Sequence, residues 1–179
     1  MKQSLLLTLI ILFAHISKGQ NSCGDIAGGW HLEMGNTYLP ISYEVQTDSI
    51  TTLNNLYMMA NSLSGATNVR LFNNMIFLEV NNLTMNLNRY GLRRGATSMF
   101  ALSPMNFKST IQYFKGGYKV KISGIVSITP EFGNVNRNEN YNWDYDFYNK
   151  EGCFRKLSYN AIINTLITTE KYFIDYFKL

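Results

Sequence analysis

The spacing of apolar residues changes period once across residues 46–50, and that change decides what kind of fold this chain can adopt. Before it, Ile41, Tyr43 and Val45 alternate with Ser42, Glu44 and Gln46, the period-two pattern of a half-buried strand. After it, Ile50, Leu53, Leu56, Tyr57, Ala60 and Leu63 recur at spacings of three and four. Asp48 or Ser49 is placed to cap that helix and Gly65 to stop it. Period two then returns: residues 68–72, 75–80 and 83–90 read as strands. Asn73-Asn74 and Asn81-Asn82 are the expected turns between them, because Asn tolerates positive φ. Residues 91–96 form a loop, and a strand at 98–102 is closed by Pro104.

The clearest hairpin joins residues 110–114 to residues 118–126 through Lys115-Gly116-Gly117. In its second arm Tyr118, Val120 and Ile122 point one way while Lys119, Lys121 and Ser123 point the other, so one face packs and one is wet. Residues 128–152 form a polar, Asn-rich insertion, and residues 154–179 read as a long amphipathic helix. Its apolar face carries Tyr159, Ile162, Ile163, Leu166, Ile167, Phe173, Ile174 and Phe177. A strand, a helix, a run of five or six strands and a terminal helix imply an α+β fold. The expected form is a curved antiparallel sheet with both helices packed on one face. No parallel βαβ series is present, so neither a Rossmann sheet nor a TIM barrel fits.

Residues 1–19 have the form of a secretory signal peptide: Lys2, an apolar run over residues 5–14, then Ser17 and Gly19 at the small-residue positions of a cleavage site. Cleavage before Gln20 leaves residues 20–179 as one α+β domain in a secreted or periplasmic setting. Cys23 follows closely enough for a lipoprotein to be the alternative, but Gln20-Asn21-Ser22 makes a poor lipidation signal. The leader takes two of the 16 basic residues and none of the 12 acidic ones, lowering the formal charge from +4 to +2. Beyond Arg93-Arg94 and the alternating Lys115, Lys119 and Lys121 no basic cluster remains, so nucleic acid is not expected as a partner. No later apolar run is long enough to span a membrane.

Cys23 and Cys153, the only cysteines, are expected to pair in an oxidising compartment, the alternative being two separate buried thiols. The bridge would close a loop of about 130 residues and contribute about 4–5 kcal/mol in the chain-entropy view. Asn82-Leu83-Thr84 is a glycosylation sequon that matters only in a host that glycosylates.

The strand-to-helix segment ISYEVQTDSITTLNNLYMMANSL at 41–63 and the hairpin segment IQYFKGGYKVKISGI at 111–125 carry a family resemblance. Between residues 41 and 125 the chain resembles an exported bacterial family of unknown function with a TATA-binding-protein-like fold. The resemblance implies that fold and an exported location. It brings no catalytic residues, and DNA binding does not follow from the fold.

Candidate chemistry is sparse. His31 is the only histidine after the leader and has no nucleophile motif near it, which leaves it a structural or surface residue. Gly28-Gly29 and Gly116-Gly117 lack the spacing of phosphate-binding loops and read as turns. Residues 139–148 (ENYNWDYDFY) alternate the rings of Tyr141, Trp143, Tyr145 and Phe147 with Asn140, Asn142, Asp144 and Asp146. Extended, this stretch would set rings on one side and oxygens on the other. The rings are candidate ligand-binding residues for a glycan or protein, or else a cover packed on the domain. On the oxygen side Asn140, Asn142, Asp144 and Glu151 imitate a calcium loop poorly, since Tyr145 stands where glycine is needed. No metal site and no cofactor are expected. Glu170 falls within the apolar face of the C-terminal helix and is an acid/base candidate there. Alternatively Thr168-Thr169 interrupts the helix, and Glu170 reaches solvent or an arginine.

These observations favour a non-enzymatic binding domain of the cell envelope with a protein or glycan ligand. The rival is a carboxylate-dependent hydrolase or isomerase using Glu170, Asp144 and Asp146. A third class, an inhibitor or assembly component, needs only a sheet edge and an apolar patch.

Overall fold

The structure, a computed structural model, describes residues 28–33, 36–45, 53–91, 103–128, 140–146 and 159–179. Its strands are β1 (His31–Glu33), β2 (Asn36–Glu44), β3 (Ala66–Phe72), β4 (Met75–Leu83), β5 (Met105–Phe114), β6 (Gly117–Ile128) and β7 (Asn140–Asn142). The helices are α1 (Leu53–Ser62), α2 (Trp143–Asp146) and α3 (Tyr159–Tyr176), with a 3-10 turn at Leu87–Tyr90. All pairings are antiparallel, in the order β1-β2-β6-β5-β4-β3. β7 continues the β2 side of β6: β2 pairs with β6 as far as Ser123, and β7 takes over at Val126–Ile128.

Strand alternation gives the sheet a packed face and an open face. One packed row runs Ile41, Val120, Ile111, Ile76 across β2, β6, β5 and β4, and the next runs Leu39, Ile122, Ser109, Leu78. Both helices lie on this face, as the strand–helix–meander–helix order predicts. α1 contributes Leu56 and Ala60, and α3 contributes Leu166 and Phe173, followed by Phe177, to one cluster with those strand residues. Phe107 of β5 meets Phe173 edge-on, with ring centroids 5.1 Å apart.

The C-terminal end of α3 leaves carbonyls without helical partners, and tyrosine hydroxyls supply the missing donors. Tyr43 donates to the Ile174 carbonyl (2.8 Å) and Tyr118 to that of Phe177 (2.9 Å). The two rings stack at 4.5 Å. Tyr176 in turn donates to the Ser64 carbonyl just past α1, tying the two helices together. Burial pushes the Tyr43, Tyr118 and Tyr176 phenols above their ordinary range, so all three stay neutral donors.

Several expected elements are relocated. β2 begins at Asn36 and β1 precedes it, where the sequence pattern indicates a strand only from Ile41. Asn73 does sit in a turn at φ 53°. Asn82 has φ 56° but interrupts nothing: β4 continues to Leu83 through a bulge, with the Asn82 N–H donating to Asn106 Oδ1 at 2.7 Å. The strand expected over 83–90 is replaced by an irregular stretch and the 3-10 turn. Leu83, Met85 and Leu87 are nonetheless buried, so the alternation reported burial and not a hydrogen-bonded ladder. The segments carrying the leader, both cysteines, Arg93-Arg94 and the strand at 98–102 lie outside the described residues.

Candidate functional site

Residues 140–146 are extended only through Asn142 and then turn into α2, so the expected row of four rings does not form along one strand. The turn is made locally: the Asn142 side chain accepts from the Asp144 N–H at 2.9 Å. Asp144 Oδ1 accepts from the Thr37 N–H at 2.6 Å, fastening α2 to the start of β2. Trp143 is fully buried against Trp30, with ring centroids 5.5 Å apart, and its indole N–H donates to Ser127 Oγ at 2.9 Å. It covers the core and has no face to offer a ligand, which corrects its reading as a displayed ring. Tyr141 is half-buried; the Tyr145 and Asp146 side chains, Phe147 and Glu151 are outside the described residues. Asn142 and Asp144 each spend a side-chain oxygen on a backbone N–H, and Glu151, the last position of the calcium-loop pattern, lies outside the described residues. Among the described residues no cluster of His, Cys, Asp and Glu is placed to hold a metal.

Glu170 is half-buried, and α3 runs through Thr168-Thr169 without interruption. Those threonines return their hydroxyls to the carbonyls of Asn164 and Thr165, four residues earlier. The Glu170 carboxylate lies against the Gly28-Gly29 turn, and a Cβ on Gly29 would stand 2.8 Å from its Oε1. A Cβ on Gly28, at φ +72°, would overlap Oε2. Trp30 follows and donates its indole N–H to the Leu166 carbonyl at 2.9 Å. The carboxylate thus sits where the first described segment docks on α3, while Asp144 is committed to β2. His31 is exposed and stacks on Tyr38 at 5.3 Å.

The open face of the sheet is the better-formed candidate site. Its residues follow from register alone. One row runs Arg70, Phe77, Thr110, Lys121, Pro40; the next runs Thr67, Glu79, Lys108, Ser123, Tyr38; a third runs Phe72, Met75, Gln112, Lys119, Ser42. Four cations, Arg70, Lys108, Lys119 and Lys121, therefore share this face with the carboxylates of Glu44 and Glu79, leaving it net positive. Rings are interleaved with them: Phe72 is 62% exposed and Phe77 40%, where an apolar ring would ordinarily be covered. Lys121 Nζ stands 4.3 Å from the Tyr38 ring centroid and Lys119 Nζ 5.9 Å from that of Phe114, so both ammonium groups are held on aromatic faces.

Within this face is a hollow of about 340 Å³ formed by β3, β4, β5 and β6. Asn68, Arg70, Phe77, Glu79, Lys108 and Ser123 supply its chemistry. Asn68 has φ 52° where the β3 register shifts between Thr67 and Arg70. From there its amide donates to Glu79 Oε2 at 2.7 Å, orienting that carboxylate. The same bulge breaks the outer ladder of β3, and β1 at the opposite edge is three residues long. Sequence pattern identifies Lys119, Lys121 and Ser123 as outward-facing; it cannot join them to Arg70, Phe77 and Lys108, because only register makes them neighbours.

No family model matches this chain, and no curated protein matches it. Two solved structures do. One, described as a TBP-like protein from Parabacteroides distasonis, is 16% identical, with 82% of this chain and 93% of that one covered at a TM-score of 0.46. The other, described as a DUF4468 family protein from Bacteroides ovatus, is 12% identical, with 86% and 93% covered at a TM-score of 0.48.

Proposed function

We propose that this chain is an exported, non-enzymatic binding domain of the cell envelope, and that its protein or glycan ligand lies on the open face of the sheet. The observation that carries the reading is the interleaving of Arg70, Lys108, Lys119 and Lys121 with exposed rings around a hollow. Exposed aromatic groups with fixed cations are costly to display and are the side chains that dominate binding energy when covered. The helices hold the far face of the sheet, so the strands present these groups on a rigid platform. The leader-like residues 1–19 support export to the periplasm or beyond.

Co-sedimentation with washed envelope of the producing cell tests the reading. Reversing two open-face charges, Arg70→Glu with Lys108→Glu, is expected to lower bound protein at least tenfold at physiological salt. Reversing Lys171 and Lys178, exposed on and just beyond α3, leaves binding unchanged. Equal binding by both double variants would place the ligand elsewhere.

A further inference from the structure

The hollow contains a contradiction for a simple anion site: Glu79 stands in the same cross-strand row as Lys108, with Arg70 on the adjoining row. A phosphate or a polyacidic peptide would gain the two cations and be repelled by this carboxylate. A ligand carrying one carboxylate together with several hydroxyl groups uses both. Its hydroxyls donate to Glu79, which can accept more bonds than the one from Asn68. Its carboxylate pairs with Arg70, whose planar fork matches it, and with Lys108. The apolar face of a sugar ring covers Phe77, 40% exposed in the same hollow, and the Ser123 hydroxyl offers a further donor and acceptor. The volume of about 340 Å³ lies at the lower end of ligand-pocket sizes, suited to one or two sugar residues.

Resting on the open-face reading above, we propose that this hollow is a subsite for an acidic sugar: a uronic-acid residue of a glycan, its carboxylate held by Arg70 and Lys108, its hydroxyls by Glu79 and Ser123, and its ring face by Phe77. Lys119 and Lys121 lie farther along the face and meet neighbouring acidic residues of the same chain of sugars.

The test is a titration of the isotope-labelled protein with a trigalacturonate, followed by backbone amide shifts. Neutral galactotriose and a nonapeptide of alternating Glu and Gly serve as comparison ligands. Shifts confined to residues 68–70, 77–79, 108–110 and 123, given by the trigalacturonate and at least tenfold weaker for the neutral sugar, support the proposal. Lys108→Gln and Phe77→Ala should each then weaken binding about fivefold to twentyfold. Glu79→Gln should weaken the sugar and strengthen the peptide. Equal response to both sugars, or no response to the trigalacturonate at millimolar concentration, overturns it. A peptide response at these amides without a sugar response overturns the sugar assignment while leaving the open face as the binding surface. Lys108 and Phe77 are exposed enough for their variants to fold, and a one-dimensional proton spectrum confirms that they do.

Discussion

Replacing Trp143 decides whether this ring is structure or binding surface. The indole is fully buried, packs at a tilt against Trp30 and donates to Ser127 Oγ, itself fully buried. Trp143→Ala removes the ring, at about 3–5 kcal/mol for a large core residue. It also leaves the Ser127 hydroxyl without this donor, at about 1 kcal/mol or more. A total of about 4–6 kcal/mol approaches the whole stability of an ordinary domain. Trp143→Phe is the gentler probe, because it retains most of the packing and loses the hydrogen bond, for about 1–2 kcal/mol. With a urea slope of about 2 kcal/mol/M, that moves the midpoint down by about 0.5–1 M. Adding Ser127→Ala to Trp143→Phe should recover part of the loss, since the buried hydroxyl then disappears with its partner. Far-ultraviolet circular dichroism in urea follows all four proteins without depending on tryptophan emission. A Trp143→Ala protein within 1 kcal/mol of the parent would refute the covering role and return this ring to the list of ligand contacts.

Three further outcomes follow from the packing. Gly28→Ala should cost about 1–3 kcal/mol in thermal unfolding, because a side chain at φ +72° is strained and its Cβ meets the Glu170 carboxylate; Glu170→Ala should recover the steric part of that loss and leave the strain. Alkaline unfolding should set in above pH 10: the raised Tyr43, Tyr118 and Tyr176 phenols make the folded state hold protons that the unfolded chain releases. Stability is then full below pH 10 and is lost as pH rises toward the folded values, by up to about 1.4 kcal/mol per pH unit for each tyrosine, and an unfolding midpoint flat from pH 9 to 12 would contradict it. Ser109→Ala should leave stability unchanged or raise it by up to about 1 kcal/mol in urea titration, because the Ser109 hydroxyl is buried on the packed face without a partner among the described residues.

Local periodicity made the architecture legible and left the site largely hidden, for physical reasons that separate particular residues. Tyr118, Val120 and Ile122 alternate with Lys119, Lys121 and Ser123 within one strand, and an outward side is readable from that strand alone. Leu56 and Ala60, and Leu166 with Phe173, repeat at helical spacing, so both helices and their shared face were expected. Arg70, Phe77 and Lys108 each look like an ordinary outward residue of a separate strand; Arg70 comes opposite Phe77 through the Asn73-Asn74 turn, but Lys108 joins them only through the register of β4 on β5, which no short-range pattern encodes. Asn82 shows the opposite failure. Its positive φ was correctly suggested by residue type, but a bulge and a turn use the same conformation, and only the pairing of Val80 with Phe107 and Leu83 with Met105 distinguishes them. Trp143 misled because alternation across 140–146 implies extended backbone, while the Asn142 side chain turns the chain after three residues.

Lysine footprinting tests the binding face most directly. The protein is acetylated under limiting reagent, with and without washed envelope, and each lysine's modification is read by mass spectrometry. Lys108, Lys119 and Lys121 should be protected severalfold, while Lys171 and Lys178, on the helical side, react as before. Protection of Lys171 and Lys178 with the three sheet lysines still fully reactive would show that the ligand sits on the helices and that the open face binds nothing there.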